Sequence, residues 1–137
     1  MLSKVTSCSL RGIDGCLIDV EVDLSQGLPS FDIVGLPDSA VKESKERVRT
    51  AIKNSGYEFP IKRITVNLAP ADIKKEGPSF DLPIAAAMLI CTGVISAEAV
   101  KGYMFTGELS LDGNIRRVNG VLPMVYCGKQ NGINKFI

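Results

Sequence analysis

The sequence predicts a single α+β domain, and three observations carry that prediction. Apolar and polar residues alternate with period two through the first third, as in Leu17-Ile18-Asp19-Val20-Glu21-Val22-Asp23. Two later stretches, 38–55 and 82–92, are instead apolar at helical spacing or nearly all round. Glycine and proline mark the junctions, and no repeat, low-complexity tract or linker divides the 137 residues. A chain of this length buries roughly two-thirds of its unfolded surface, so a core needs no disulfide or metal staple.

Lys4 to Leu10 and Cys16 to Leu24 read as strands joined by a turn at Arg11-Gly12-Ile13-Asp14-Gly15. Ser25-Gln26-Gly27-Leu28-Pro29 breaks the second, and Ser30 to Val34 forms a third, for a three-stranded antiparallel start. A helix follows Gly35-Leu36-Pro37. Asp38 suits its N-cap because a carboxylate accepts the free backbone N–H groups, and Gly56 suits the position just past its end. Val41, Val48, Ala51 and Ile52 mark its inner face. Lys42, Glu43, Lys45, Glu46, Arg47, Arg49 and Lys53 are expected mostly in solvent, with Glu43 and Arg47 paired at i,i+4.

Ile61 to Leu68 reads as a strand and Ile73 to Pro78 as a charged loop. A buried helix is expected from Leu82 to about Gly93, with Phe80 or Asp81 as N-cap because Pro83 fits only a first turn. Tyr103 to Leu111 reads as a strand turning at Asp112-Gly113-Asn114 into Ile115 to Val118. Val121 to Lys129 is helical and stops at Asn131-Gly132. Lys135-Phe136-Ile137 resembles the start of another strand, so the chain is expected to be a truncated piece of a longer protein.

Composition removes several function classes. Histidine is absent, and Cys8, Cys16, Cys91 and Cys127 form no CxxC, so His-based triads and the common zinc sites are excluded. Asp72, Glu76, Asp81, Glu108 and Asp112 have the spacing of no known cation cage, so no metal ligand is expected. There is no GxxxxGK[ST] and no GxGxxG, hence no recognised nucleotide loop in these residues. The longest apolar stretch, Leu82 to Ile90, is far short of the roughly twenty residues a membrane span needs. With no secretory signal at the N-terminus, a cytoplasmic protein without a membrane partner is expected.

Charge is segregated although the net charge is only +1. Val5 to Val41 holds one base against six acids, while Lys42 to Glu76 holds nine bases against five acids. Such asymmetry fits a surface for nucleic acid or a neighbouring subunit, and equally the solvated faces of a strand pair and a helix. The other segment of interest is Lys74-Lys75-Glu76-Gly77-Pro78-Ser79-Phe80-Asp81, which sets a serine beside the N-terminus of a buried helix. A serine nucleophile requires a base, and without histidine that base would have to be a lysine of depressed pKa.

Three long words carry a family resemblance: Phe31-Asp32-Ile33-Val34-Gly35-Leu36-Pro37-Asp38, Glu43-Ser44-Lys45-Glu46-Arg47-Val48-Arg49, and Val66-Asn67-Leu68-Ala69-Pro70-Ala71-Asp72 running on to Glu76-Gly77 and Phe80-Asp81-Leu82-Pro83-Ile84. They resemble the N-terminal domain of the Mg-chelatase-like competence ATPases, the ComM/YifB family, over nearly the whole chain. The resemblance implies a fold similar to the Lon proteolytic domain, a mixed sheet with two or three helices packed on it. It also implies that residues 1–137 precede an AAA+ module that binds ATP and magnesium beyond this chain. The family resemblance further implies a homo-hexamer and a role in DNA branch migration, recombination and natural transformation.

Similarity to Lon extends to single positions. Gly77-Pro78-Ser79 is similar to the motif bearing Lon's nucleophilic serine, and Thr106-Gly107-Glu108 to its Thr-Gly-Glu strand. Asn119-Gly120-Val121 is similar to the Gly-Gly-Leu that precedes Lon's lysine, so that lysine falls on Leu122. A leucine takes no proton. Lys129, about two helical turns on, lies roughly 10 Å away and is too far to substitute. No catalytic residue and no peptidase activity are therefore expected. The expected role is that of an accessory domain in ring assembly or DNA contact. Candidate contacts are Lys42, Lys45, Arg49 and Lys53 on the first helix, Lys74 and Lys75 on the Ser79 loop, and Arg116 and Arg117 past the second hairpin. The alternatives are a relic of a Lon-type serine peptidase and a regulatory domain of a metal-inserting, magnesium-chelatase-like ATPase.

Overall fold

The computed structural model describes residues 1–137. Its frame is the long hairpin that the alternation anticipates. Strands β1 (Leu2–Arg11) and β2 (Asp14–Ser25) are antiparallel, with Val5 opposite Val20 and Ser7 opposite Ile18. Period two sends Ile18, Val20, Val22 and Leu24 to one face and Asp19, Glu21 and Asp23 to the other, so one face alone can enter an apolar core.

Strands β3 (Ser30–Val34) and β4 (Arg63–Ala69) complete one half of the sheet, and here the expected order fails. The second antiparallel neighbour of β2 is β4, while β3 lies outside β4, parallel to it, at the sheet edge. Residues 35–62 return the chain to the end of the sheet where β3 began. Strands joined by such a crossover are parallel, and the helix within the crossover covers the sheet. That helix is also not continuous. α1 (Ser39–Lys42) ends at Glu43 and α2 (Ser44–Asn54) begins anew, with Ser44 fully buried at the break.

A second helix, α3 (Asp81–Cys91), has Phe80 at its N-cap and Pro83 in its first turn. Tyr103 to Leu111, read as one strand, is two. β5 (Tyr103–Met104) runs parallel to β1, and Phe105 N–H donates to the Thr6 carbonyl at 2.9 Å. The chain then leaves the sheet because Gly107 bonds the Ser79 loop in both directions. Gly107 N–H donates to the Ser79 carbonyl, and Leu82 N–H donates to the Gly107 carbonyl, each at 3.0 Å. β6 (Glu108–Leu109) and β7 (Ile115–Arg116) form a separate hairpin around Asp112-Gly113-Asn114. α4 (Val121–Gln130) and β8 (Lys135–Phe136), parallel to β5, follow as anticipated.

The resulting mixed sheet has the order β3-β4-β2-β1-β5-β8. Its inner face carries α2 and α3 over a continuous core that includes Val20, Val22, Val66, Leu68, Phe80, Ile84 and Met88. Each of the larger of these side chains contributes roughly 1.5–3 kcal/mol when fully buried. On the outer face α4 covers one end alone, closing a small cluster of Cys8, Met104, Met124 and Cys127. Gly15 permits that approach, since a Cβ there would stand 2.6 Å from the Cys127 Cβ. Burial and the neighbouring Cys127 push the Cys8 thiol up to about 12. The rest of the outer face carries Asp19, Glu21, Asp23 and Asp32. The acidic segment of the sequence is thus the uncovered face of the sheet, and the basic segment lies largely across the core from it.

Candidate functional site

The Ser79 segment, 70–80, is held by backbone pairing to the chain that enters α1. Lys75 N–H donates to the Leu36 carbonyl and Asp38 N–H to the Lys75 carbonyl, each at 3.0 Å. Gly35, beside this bridge, has φ +107°, and a Cβ there would meet the Leu68 carbonyl oxygen at 2.2 Å, so only glycine fits. Asp38 performs the capping role expected of it and one more. Its Oδ1 accepts Val41 N–H at 2.7 Å, and its Oδ2 accepts Gly77 N–H at 3.3 Å, two residues before Ser79.

Ser79 is 7% exposed and lines a cleft of about 500 Å³. Asp38, Glu76, Glu108, Arg117 and Asn119 share its walls. Arg117 is the one cation lining the cleft, and a guanidinium does not give up its proton to act as a base. Leu122 stands in the first turn of α4, is 81% exposed, and is not among the lining residues. Lys129, near the other end of α4, is exposed as well. The cleft therefore surrounds a serine with carboxylates and one guanidinium, and with no amine.

Two residues beyond Ser79 lies Asp81, which the sequence offered as an alternative N-cap and not as a link between elements; the N-cap is Phe80. The Asp81 carboxylate is wholly buried and accepts four hydrogen bonds. These come from Ser44 Oγ at 2.5 Å, Arg47 Nε at 2.6 Å, Arg47 Nη2 at 3.1 Å and Leu109 N–H at 3.0 Å. One side chain thus joins α2, α3 and β6. Arg47, expected in solvent, points inward, though it keeps the anticipated contact with Glu43 at 3.5 Å. Hydrogen bonding to Asp81 raises the Arg47 pKa above its ordinary value, against the opposing effect of burial. The sequence did hold a signal: Ser44, Arg47, Val48 and Ala51 share one helical face.

The eight cationic candidates do not form one surface. Lys75 must be withdrawn: it is fully buried, its ammonium donates to the Pro70 carbonyl, and burial lowers its pKa despite the charge of Asp72. Its neighbour Lys74 is exposed and lies 3.7 Å from Glu76. Arg116 faces Glu108 at 3.9 Å across the β6–β7 hairpin, and Arg117 turns into the Ser79 cleft. Lys42 is exposed and Lys45 half-exposed where α1 gives way to α2. Arg49 and Lys53 lie toward the far end of α2. Arg49 is paired with Glu46 at 3.1 Å and sits over the rings of Phe31 and Phe59 at 5.9 and 5.5 Å.

With the geometry in hand, comparison with known proteins assigns the family. Residues 20–137 match the family described as subunit ChlI of Mg-chelatase. The chain belongs to that family. Among relatives, the competence protein ComM of Haemophilus influenzae is 45% identical over 130 residues, 95% of this chain and 26% of ComM. The protein YifB of Salmonella typhimurium is 50% identical over 121 residues, 88% of this chain and 24% of YifB. Lon protease 2 of Bacillus subtilis is 28% identical over 139 residues, 90% of this chain and 25% of that protease. The chain spans about a quarter of the length of these relatives. It is a Mg-chelatase-like domain of the ComM and YifB type, with a weaker similarity to Lon. No helix in it is long and apolar enough to cross a membrane.

Proposed function

We propose that this domain is a non-catalytic accessory part of an AAA+ ATPase that acts on DNA in branch migration, recombination and natural transformation. ATP and magnesium would be bound by a module outside residues 1–137, and the domain would serve the assembly of a homo-hexameric cytoplasmic ring, contact DNA, or both. The name of the competence protein ComM, 45% identical to this chain, supports the setting. The observation that carries the non-catalytic reading is the Ser79 cleft, which holds a serine while its only cation is Arg117. Anisotropy of labelled single-stranded, duplex and forked DNA at about 50 and 200 mM salt tests the DNA contact. Phosphate contacts weaken steeply across that range. Salt-sensitive binding supports a share in gripping DNA, and no binding at the lower salt leaves ring assembly alone.

The family description, a subunit of a magnesium chelatase, favours one second reading: a regulatory domain of an ATPase that drives metal insertion. The two part on substrate. Stimulation of the intact protein's ATP hydrolysis by forked DNA speaks for the first, and stimulation by a porphyrin-binding partner speaks for the second.

A further inference from the structure

We infer that the nucleic-acid contact, if the proposed reading holds, is a groove for single-stranded nucleic acid at the C-terminal end of α2, and that the Lys42–Lys45 end and the Ser79 loop take no part in it. The segment 57–62 passes beneath the last turn of α2, and a cavity opens on each side of Phe59-Pro60-Ile61. One, of about 660 Å³, is lined by Lys53, Tyr57 and Glu58. The other, of about 220 Å³, is lined by Arg49, Lys53 and Lys62. Lys53 belongs to both walls, and Glu58 is the one carboxylate on either. Lys62 did not figure among the sequence candidates. It arrives here because its backbone carbonyl accepts Ser30 N–H at 3.4 Å, which ties the start of β4 to the start of β3. Neither Lys53 nor Lys62 stands in an ion pair with a carboxylate.

Arg49 supplies preorganisation, because its guanidinium is already held against two aromatic rings that themselves stack at 5.8 Å. The groove also exposes apolar surface: Tyr57 is 44% and Ile61 83% exposed. Cations beside exposed apolar and aromatic side chains match a strand that offers phosphates together with unpaired base faces. A duplex, whose bases are stacked inward, offers phosphates alone. Lys45 lies about 12 Å from Lys53 along α2, so the two ends of that helix can be tested separately.

The test is anisotropy of a fluorescein-labelled oligothymidylate with the 137-residue protein, with a duplex of equal length for comparison. Three phosphate contacts predict an affinity loss of about twentyfold between 50 and 200 mM salt. Lys53→Gln with Lys62→Gln should weaken binding by about tenfold at 50 mM and flatten the salt dependence. Lys42→Gln with Lys45→Gln should change it by less than about threefold. Tyr57→Ala should lower the affinity for the single strand and leave that for the duplex unchanged. Circular dichroism of each variant verifies that it is folded. Binding that survives the Lys53/Lys62 pair and falls with the Lys42/Lys45 pair overturns the groove and leaves DNA contact standing. No binding to any DNA removes both. Displacement of the oligonucleotide by an equal charge of polyglutamate shows a mere patch of charge and also overturns the proposal.

Discussion

Ser79 and Asp81 are separated by one residue and have opposite surroundings. Ser79 opens onto a cleft of about 500 Å³ lined by carboxylates and one guanidinium, with no lysine on its walls. Asp81 accepts four hydrogen bonds from two other elements, α2 and β6, and has no exposure at all. The difference separates what packing requires from what chemistry requires. Charged side chains of the cleft such as Glu76 and Arg117 are exposed, so packing constrains them little. Removing a partner of Asp81 strands a charge in the interior.

The largest effect that could break this comparison is therefore on the Asp81 side. Arg47→Ala should destabilise the domain by about 3–5 kcal/mol, because the buried carboxylate would lose its counter-charge and two of its donors. Urea denaturation measures it, and a loss below about 1 kcal/mol would mean that Asp81 does not organise the fold. Met88→Ala, on the inner face of α3 nearby, should cost about 2–4 kcal/mol through the cavity it leaves. A loss for Arg47→Ala clearly smaller than that for Met88→Ala would reduce the Asp81 cluster to ordinary packing.

Lys75 sharpens the comparison from within the Ser79 loop, where it is the buried cation. Its folded pKa is depressed by burial, so folding favours the neutral amine. The penalty is fully present below the folded pKa and is relieved as pH rises toward the unfolded value of 10.5. Lys75→Met should accordingly gain most, relative to the parent chain, at neutral pH. That advantage should shrink between pH 7 and pH 10 in parallel urea titrations. An advantage that grew with pH would contradict the assigned direction.

The smallest effects belong to the cleft. Ser79→Ala should shift stability by less than about 1 kcal/mol, and neither it nor the parent chain should cleave unfolded casein. Casein cleavage that disappears in Ser79→Ala would show that the cleft had kept a base and would end the contrast. Leu122→Lys should also fail to cleave, since that side chain stands in solvent and off the cleft wall.

Much of this was legible in the residues. The β1–β2 hairpin, the Asp38 cap, the stop at Gly56 and the apolar α3 follow from period, capping chemistry and backbone freedom, all of which act within a few residues. The leucine at position 122 and the serine at 79 could likewise be read directly. Other features could not. Ser30 to Val34 has the same local pattern whether it pairs with β2 or β4, and only the path of the crossover selects the parallel edge position. Arg47, Lys75 and Lys53 look alike as charged residues in a basic segment. Arg47 turns inward because Asp81 waits 34 residues further along the chain in another helix, Lys75 is covered because its backbone bridges to Leu36 and Asp38, and Lys53 meets Lys62 because β4 starts beside β3.

By itself, then, the sequence determined most of the segments that are helix and strand, which faces are apolar, and that a leucine stands at position 122. Those properties depend on neighbours along the chain. Tertiary structure alone decided which charges are buried, which are free and which come together, because burial and pairing depend on residues tens of positions apart.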